Sequence, residues 1–118
     1  MNTTSVLSTL LDQWMAGVGT HDPAAVAKLF TDNAIFQGLR PYSIGPAGVA
    51  QYYESQPPGL KAGYEILESR HLTDDLVLGY LKVAFSFVDL PTLEVFLSII
   101  ARHSDNDWSI DHYQVSKL

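Results

Sequence analysis

There is no cysteine among the 118 residues, so disulfides, thiolate nucleophiles and cysteine-held zinc are all excluded. Positive charge is scarce: seven Lys and Arg stand against thirteen Asp and Glu, for a net charge of −6. No basic patch offers itself to phosphates, so nucleic acid is not an expected partner. Long hydrophobic runs are missing from the start of the chain, where MNTTSVLSTLLDQW spaces its apolar residues and has no basic beginning. That stretch reads neither as a signal peptide nor as a membrane span, and the cytoplasm is the expected compartment. No glycine-rich phosphate loop follows a strand, so no cofactor is expected. The histidines His21, His71 and His103 sit at element ends with no metal-ligand spacing, so no metal site is expected either.

What is present is an ordinary globular composition, 47% apolar and 11% aromatic, in a length that suits one domain over 1–118. Val6, Leu7, Leu10, Leu11, Trp14, Met15 and Val18 recur at helical spacing and form one apolar stripe. In THDPAAVAKLF, Asp22 is a natural N-cap, Pro23 fits the first helical position, and Val26, Leu29 and Phe30 supply a buried face. TDNAIFQGL reads as a turn and a short strand. RPYSIGPAG is a loop, and Pro46 opens a third helix through VAQYYESQ, stopped by Pro57, Pro58 and Gly59.

From Leu60 the pattern changes to strands. KAGYEILESRHL, LVLGYLKVAFSFV and TLEVFLSIIARH are separated by turns at Thr73 to Asp75, Asp89 to Pro91 and Ser104 to Asp107. The closing segment WSIDHYQVSK reads as a last strand with Trp108, Ile110, His112, Gln114 and Ser116 on one side. The order helix, helix, strand, helix and four strands is an α+β layout with three N-terminal helices on one sheet face. In TLEVFLSIIA, Leu93, Val95, Leu97 and Ile99 share one face while Phe96 and Ile100 share the other. Apolar residues on both sides of a meander predict a covered outer face. A homodimer through the sheet is the expectation.

These elements resemble the nuclear-transport-factor-like superfamily, a cystatin-like cone in which helices pack on a curved, mainly antiparallel sheet. The resemblance rests on LLDQWMAGVGTHDPAAVAKLFTDNAIF, GPAGVAQYY and the terminal WSIDHYQVS. Within it the chain is most similar to small bacterial SnoaL-like and SgcJ/EcaC-type proteins. The closing strand is also similar to the end of a calcium/calmodulin-dependent kinase association domain. The resemblance implies a pocket between helices and sheet, lined by Trp14, Phe36, Gly38, Tyr52 or Tyr53, Phe96, Ser98, His112 and Gln114. Arg40 and Tyr42 would stand at its mouth.

Laying the ketosteroid isomerase pattern of that superfamily on this chain puts the tyrosine position on Trp14, the base on Gly38 and the second aspartate near Ser98. All three catalytic groups are absent. His112 is then the one candidate acid or base, with Gln114 and Ser98 to orient a substrate and Arg40 or Tyr42 to bind its polar end. The plain alternative has His112 completing a hydrogen-bond network at the end of a core strand. Two functions therefore stand side by side. One is a pocket for a small, largely apolar molecule with cofactor-free acid/base chemistry of the cyclase, isomerase or dehydratase type. The other is a non-catalytic assembly or partner-binding domain whose cone is filled by its own side chains. The volume of the pocket distinguishes them.

Overall fold

The computed structural model describes residues 2–117. Helix α1 (Thr3–Gly19) begins where the Asn2 side chain accepts from the backbone N–H of Thr4 and Ser5, and it buries the expected stripe. Helix α2 (Pro23–Ala27) is capped by Asp22, whose carboxylate accepts from the Ala25 N–H, with Pro23 in the first turn. Gly17 has a packing reason: a Cβ there would meet Val26 at 2.7 Å, so the bare backbone lets α2 lie close. The sequence pattern carries α2 on to Phe30, but the helix stops at Ala27 because the chain is claimed by the sheet. The Leu29 carbonyl accepts from the Ile110 N–H at 2.6 Å.

Strand β1 (Phe30–Gln37) follows, then a two-residue strand β2 (Ser43–Ile44) inside what reads as a plain loop. Helix α3 (Pro46–Glu54) is entered through Gly45, whose φ of 87° places it in the glycine-favoured region. The long strands are β3 (Lys61–Thr73), β4 (Leu76–Ser86), β5 (Leu93–Ser104) and β6 (Asp107–Lys117). They form one sheet in the order β2-β1-β6-β5-β4-β3, antiparallel except where β1 runs parallel to β6. No helix among the described residues is long and apolar enough to cross a membrane.

The helices cover one face of the sheet. On β4 and β5 that face carries Val77, Leu81, Val83, Val95, Leu97, Ile99 and Ala101, all fully buried. Alternation continues onto β6 only as far as Ile110. There Ile100 pairs with His112 but Ala101 pairs with Ile110, so Asp111 is one residue too many. This β-bulge shifts the alternation by one. Tyr113, not His112, follows Ile110 onto the buried face. The bulged Asp111 is held on both sides: Thr31 Oγ1 donates to its carboxylate at 2.7 Å, and Arg102 lies 3.5 Å from it.

Because the extra residue sits between two stretches of correct phase, deleting Asp111 leaves a regular strand with Ile110 and Tyr113 still inside. The variant is expected to keep its circular dichroism and near-ultraviolet tyrosine signal. It should lose no more than about 2 kcal/mol in urea unfolding, the worth of one hydrogen bond and one exposed ion pair. An unfolded product would refute this register.

Candidate functional site

The interior of the cone is where the resemblance places a pocket, and three of the expected residues do meet there. Trp14 comes from α1, Tyr53 from α3 and Phe36 from β1, and each is at least 96% buried. The Trp14 Nε1–H donates to Tyr53 Oη at 3.0 Å, and Phe36 lies 5.8 Å from the Tyr53 ring. The fourth member is Tyr113 from β6, which stacks on Phe36 at 4.7 Å and shares a hydrogen bond with Tyr53 at 3.2 Å. Tyr113 escapes a reading of the sequence because only the bulge turns it inward. The local signal is weak: Tyr113 and Val115 are apolar enough to form a face, and Ile110 is out of phase with them.

Four expected residues are elsewhere. His112, Gln114, Ser98 and Phe96 lie on the outer face of the sheet, away from the helices. For the β5 pair the reason is simple alternation: Val95, Leu97 and Ile99 point inward, so Phe96 and Ser98 point outward. For the β6 pair it is the bulge. Ile100 and Ile35 stand opposite His112, Ser98 stands opposite Gln114, and Phe96 stacks on Tyr80 at 5.5 Å. His112 therefore has no place in the cone.

Arg40 and Tyr42 occupy the loop after β1, outside the cone. Arg40 Nη1 donates to Ser55 Oγ at 2.7 Å and its guanidinium stands 5.8 Å from the Tyr52 ring centre. With Pro41, Gln51 and Tyr52 they line an open cleft of about 420 Å³, of which Phe36 forms the only interior part. The position of the missing base is closed as well. A Cβ on Gly38 would lie 2.6 Å from the Tyr52 ring, so a side chain there would require that ring to move.

What remains inside is hydrocarbon and three polar atoms. No buried residue among those described is charged, and no group of His, Asp and Glu is arranged to hold a metal. A fissure between Leu39, Tyr52, Tyr53, Leu60, Phe85 and Leu93 has a volume of about 30 Å³. That is room for one water-sized group.

The three polar atoms carry an imbalance. Trp14 brings one N–H and each phenol one O–H, so three hydrogens serve two contacts. Every buried polar atom has a partner, yet one phenolic hydrogen has no acceptor among the described residues. Burial raises both phenols above their ordinary value. For Tyr53, desolvation outweighs the hydrogen bonds from Tyr113 and Trp14, and for Tyr113 it is reinforced by the neighbouring Tyr53 oxygen.

Two outcomes follow from this count. Tyr113→Phe leaves Tyr53 accepting from Trp14 and the number of idle hydrogens unchanged, so it should cost about 1 kcal/mol or less. Tyr53→Phe strands both the Trp14 N–H and the Tyr113 O–H, and should cost about 1–3 kcal/mol more. Equal losses in denaturant titrations of the two variants would contradict the hydrogen-bond geometry. Since the folded pKa of both phenols lies above the ordinary 10.0, the unfolded chain releases these protons first. Their contribution is whole below about pH 10 and is lost as pH rises through the folded values. Absorbance at 295 nm should show Tyr53 and Tyr113 ionising only as the protein unfolds. In the Tyr53→Phe, Tyr113→Phe double variant, stability should fall less steeply above pH 10.

No known family model matches the sequence, and no curated protein does. Solved structures do match. A cystatin-like domain of unknown function from Nostoc punctiforme is 14% identical with a TM-score of 0.85, over 98% of this chain and 77% of that one. A ketosteroid isomerase-like protein from Erwinia carotovora is 20% identical with a TM-score of 0.81, over 97% and 95%. An NTF-2-like protein of unknown function from Shewanella oneidensis is 14% identical with a TM-score of 0.83, over 97% and 98%. At such identities the likeness concerns the fold, which is the cystatin-like, NTF2-like cone. Its neighbours include isomerase-like proteins and others of unknown function.

Proposed function

We propose that this chain is a non-catalytic cone domain that acts by self-association and partner binding. The observation that carries this reading is the filled interior: Trp14, Phe36, Tyr53 and Tyr113 occupy the place of a substrate, and only about 30 Å³ is left beside them. Ligand pockets run to about 300 Å³ or more. No carboxylate or imidazole faces that space, and burial holds the two phenols that do in their protonated form, so no base is at hand there. The resemblance puts the isomerase base position on Gly38, which carries no side chain and stands against the Tyr52 ring, and this supports the non-catalytic reading.

The surface left for work is the outer face of the sheet. Across the strands one row reads Ile44, Ile35, His112, Ile100 and Leu78, and the next holds Gln114, Ser98 and Tyr80. Ile35 is 43% exposed and Ile44 53%, high values for isoleucine in a sheet. Charged pairs share this face: Arg70–Glu68 on the edge strand β3, Lys82–Glu94 with Lys82 opposite Phe96, and Arg102–Asp111. Exposed isoleucines interleaved with polar groups on one broad face suit an interface. Five strands about 4.8 Å apart and about 36 Å long give a face of roughly 860 Å². A stable dimer needs about 800 Å² from each partner. The occupant in this reading is a second copy, meeting the first face to face about a two-fold axis.

Sedimentation equilibrium should give twice the 13.0 kDa chain mass. Ile35→Glu with Ile100→Glu should give a monomer whose circular dichroism is unchanged, since both side chains face away from the core. A wild-type mass that stays at one chain over all concentrations would overturn the proposal. So would turnover of a small carbonyl substrate that disappears in Tyr53→Phe.

A further inference from the structure

The open cleft that holds Arg40 lies between α3 and the β1–β2 connection, outside the cone. On the helix, Gly48, Gln51, Tyr52 and the C-cap Ser55 fall at i, i+3, i+4 and i+7, so they form one stripe, and all four line the space. On the strand, Ser43 stands opposite inward-facing Phe36 and therefore points to the same side. The approach is close: a Cβ on Gly48 would collide with the Ser43 hydroxyl, so the bare backbone lets β2 reach α3.

Arg40 is fixed in this cleft at three points. Its carbonyl accepts from the Gln37 amide, its Nη1 donates to Ser55 Oγ at 2.7 Å, and its guanidinium lies 5.8 Å from the Tyr52 ring centre. The anchors are held in turn: Ser55 Oγ donates to the Tyr52 carbonyl, and Tyr52 Oη accepts from the Leu39 N–H. The chain has two other arginines, and both have a counter-charge. Arg70 has Glu68 at 2.9 Å and Arg102 has Asp111 at 3.5 Å. Among the described residues no carboxylate pairs with Arg40, and no acidic residue lines the cleft. The guanidinium keeps most of its donors, and the Gln51 amide and Ser43 hydroxyl on the same walls make no hydrogen bond among the described residues. In a chain of net charge −6, a positioned guanidinium without a counter-charge is set up for an anion from outside.

We propose that this cleft binds a small organic monocarboxylate with a flat apolar body, of the benzoate kind. The carboxylate would take the free N–H groups of Arg40 in the two-point manner of that pair, with Gln51 and Ser43 as further donors. The body would lie along Tyr52 and Pro41, which supply the carbon surface. A phosphate or a dicarboxylate fits less well, because one guanidinium answers one charge and the acidic chain repels the rest. A free amino acid fits less well too, since its ammonium would find no carboxylate in the lining.

The two paired arginines are an internal control. With ¹⁵N-labelled arginine at constant ionic strength and about pH 6, where a carboxylic acid of ordinary pKa is ionised, benzoate should shift the Arg40 Nε–H saturably. The Nε–H signals of Arg70 and Arg102 should stay in place, and loss of a signal in Arg40→Gln identifies that of Arg40. By ligand-observed magnetic resonance, Arg40→Lys, which keeps the charge and loses the fork, should weaken benzoate roughly three- to tenfold. Ser55→Ala frees the guanidinium to turn and should weaken it about two- to threefold. Benzamide, which has the body without the charge, should bind at least about tenfold more weakly than benzoate. Acetate, which has the charge without the body, should also bind more weakly. Absence of a saturable Arg40 shift up to the solubility limit would overturn the proposal, as would equal shifts of all three arginines. So would full affinity in Arg40→Lys, or benzamide or acetate binding as tightly as benzoate.

Discussion

The phase of β6, kept by a bulge at Asp111, is the constraint on which the interior and the outer face both depend. Without the bulge at Asp111, strict alternation from Ile110 would aim an imidazole into the core and a phenol into solvent. With it, Tyr113 enters the cone, reaches Tyr53, and completes the chain of contacts that begins at Trp14. The same half-turn sends His112 to join Ile35 and Ile100 on the opposite face. For this order of residues the bulge thus decides which of His112 and Tyr113 faces the interior. The anchoring of Asp111 by Thr31 and Arg102 shows the bulge to be built in, since partners come from both neighbouring strands.

Magnitudes explain why the cone tolerates an idle phenolic hydrogen. A buried aromatic ring removes about 150–250 Å² from water, worth roughly 4–6 kcal/mol at about 25 cal/mol per Å². A hydroxyl hydrogen without an acceptor costs about 1–3 kcal/mol. Packing wins for Tyr53 and for Tyr113 alike, and the edge-to-face and stacked contacts among Trp14, Phe30, Phe36 and Tyr113 add to it. Such a lattice is dense enough to keep its shape without a ligand to fill it.

Much of this was legible in the residues. The α1 stripe, the Asp22 cap with Pro23, the Pro46 start of α3 and the turns between the long strands all follow from period and turn chemistry. So did the inner face of β5, because Leu93, Val95, Leu97 and Ile99 alternate without interruption. Placing Phe96 and Ser98 in the pocket came from the family resemblance and ran against that alternation, which was the better guide. Three features had no local signal. The bulge depends on which residue of β5 is opposite, the early end of α2 depends on the Leu29 carbonyl meeting β6, and Ser43–Ile44 is a strand only because Ile35 and Phe36 lie beside it. Each is a long-range pairing, which period along one segment does not encode.

A filled cone also suits the docking role proposed for the outer face. Association is opposed by the ordering of side chains and loops at the contact, and a surface already fixed pays little of that cost. Here the outer face is the back of strands whose inner face is locked, residue by residue, against α1 and α3. Ile35 is the neighbour of Phe36, Ile100 of Ile99, and His112 of Tyr113, so each of these outward side chains is one peptide bond from a buried one. Loosening the interior to admit a substrate would loosen that face. In the proposed reading, the sheet that presents the outer face is the one whose inner side chains, Leu97, Ile99 and Tyr113 among them, are buried.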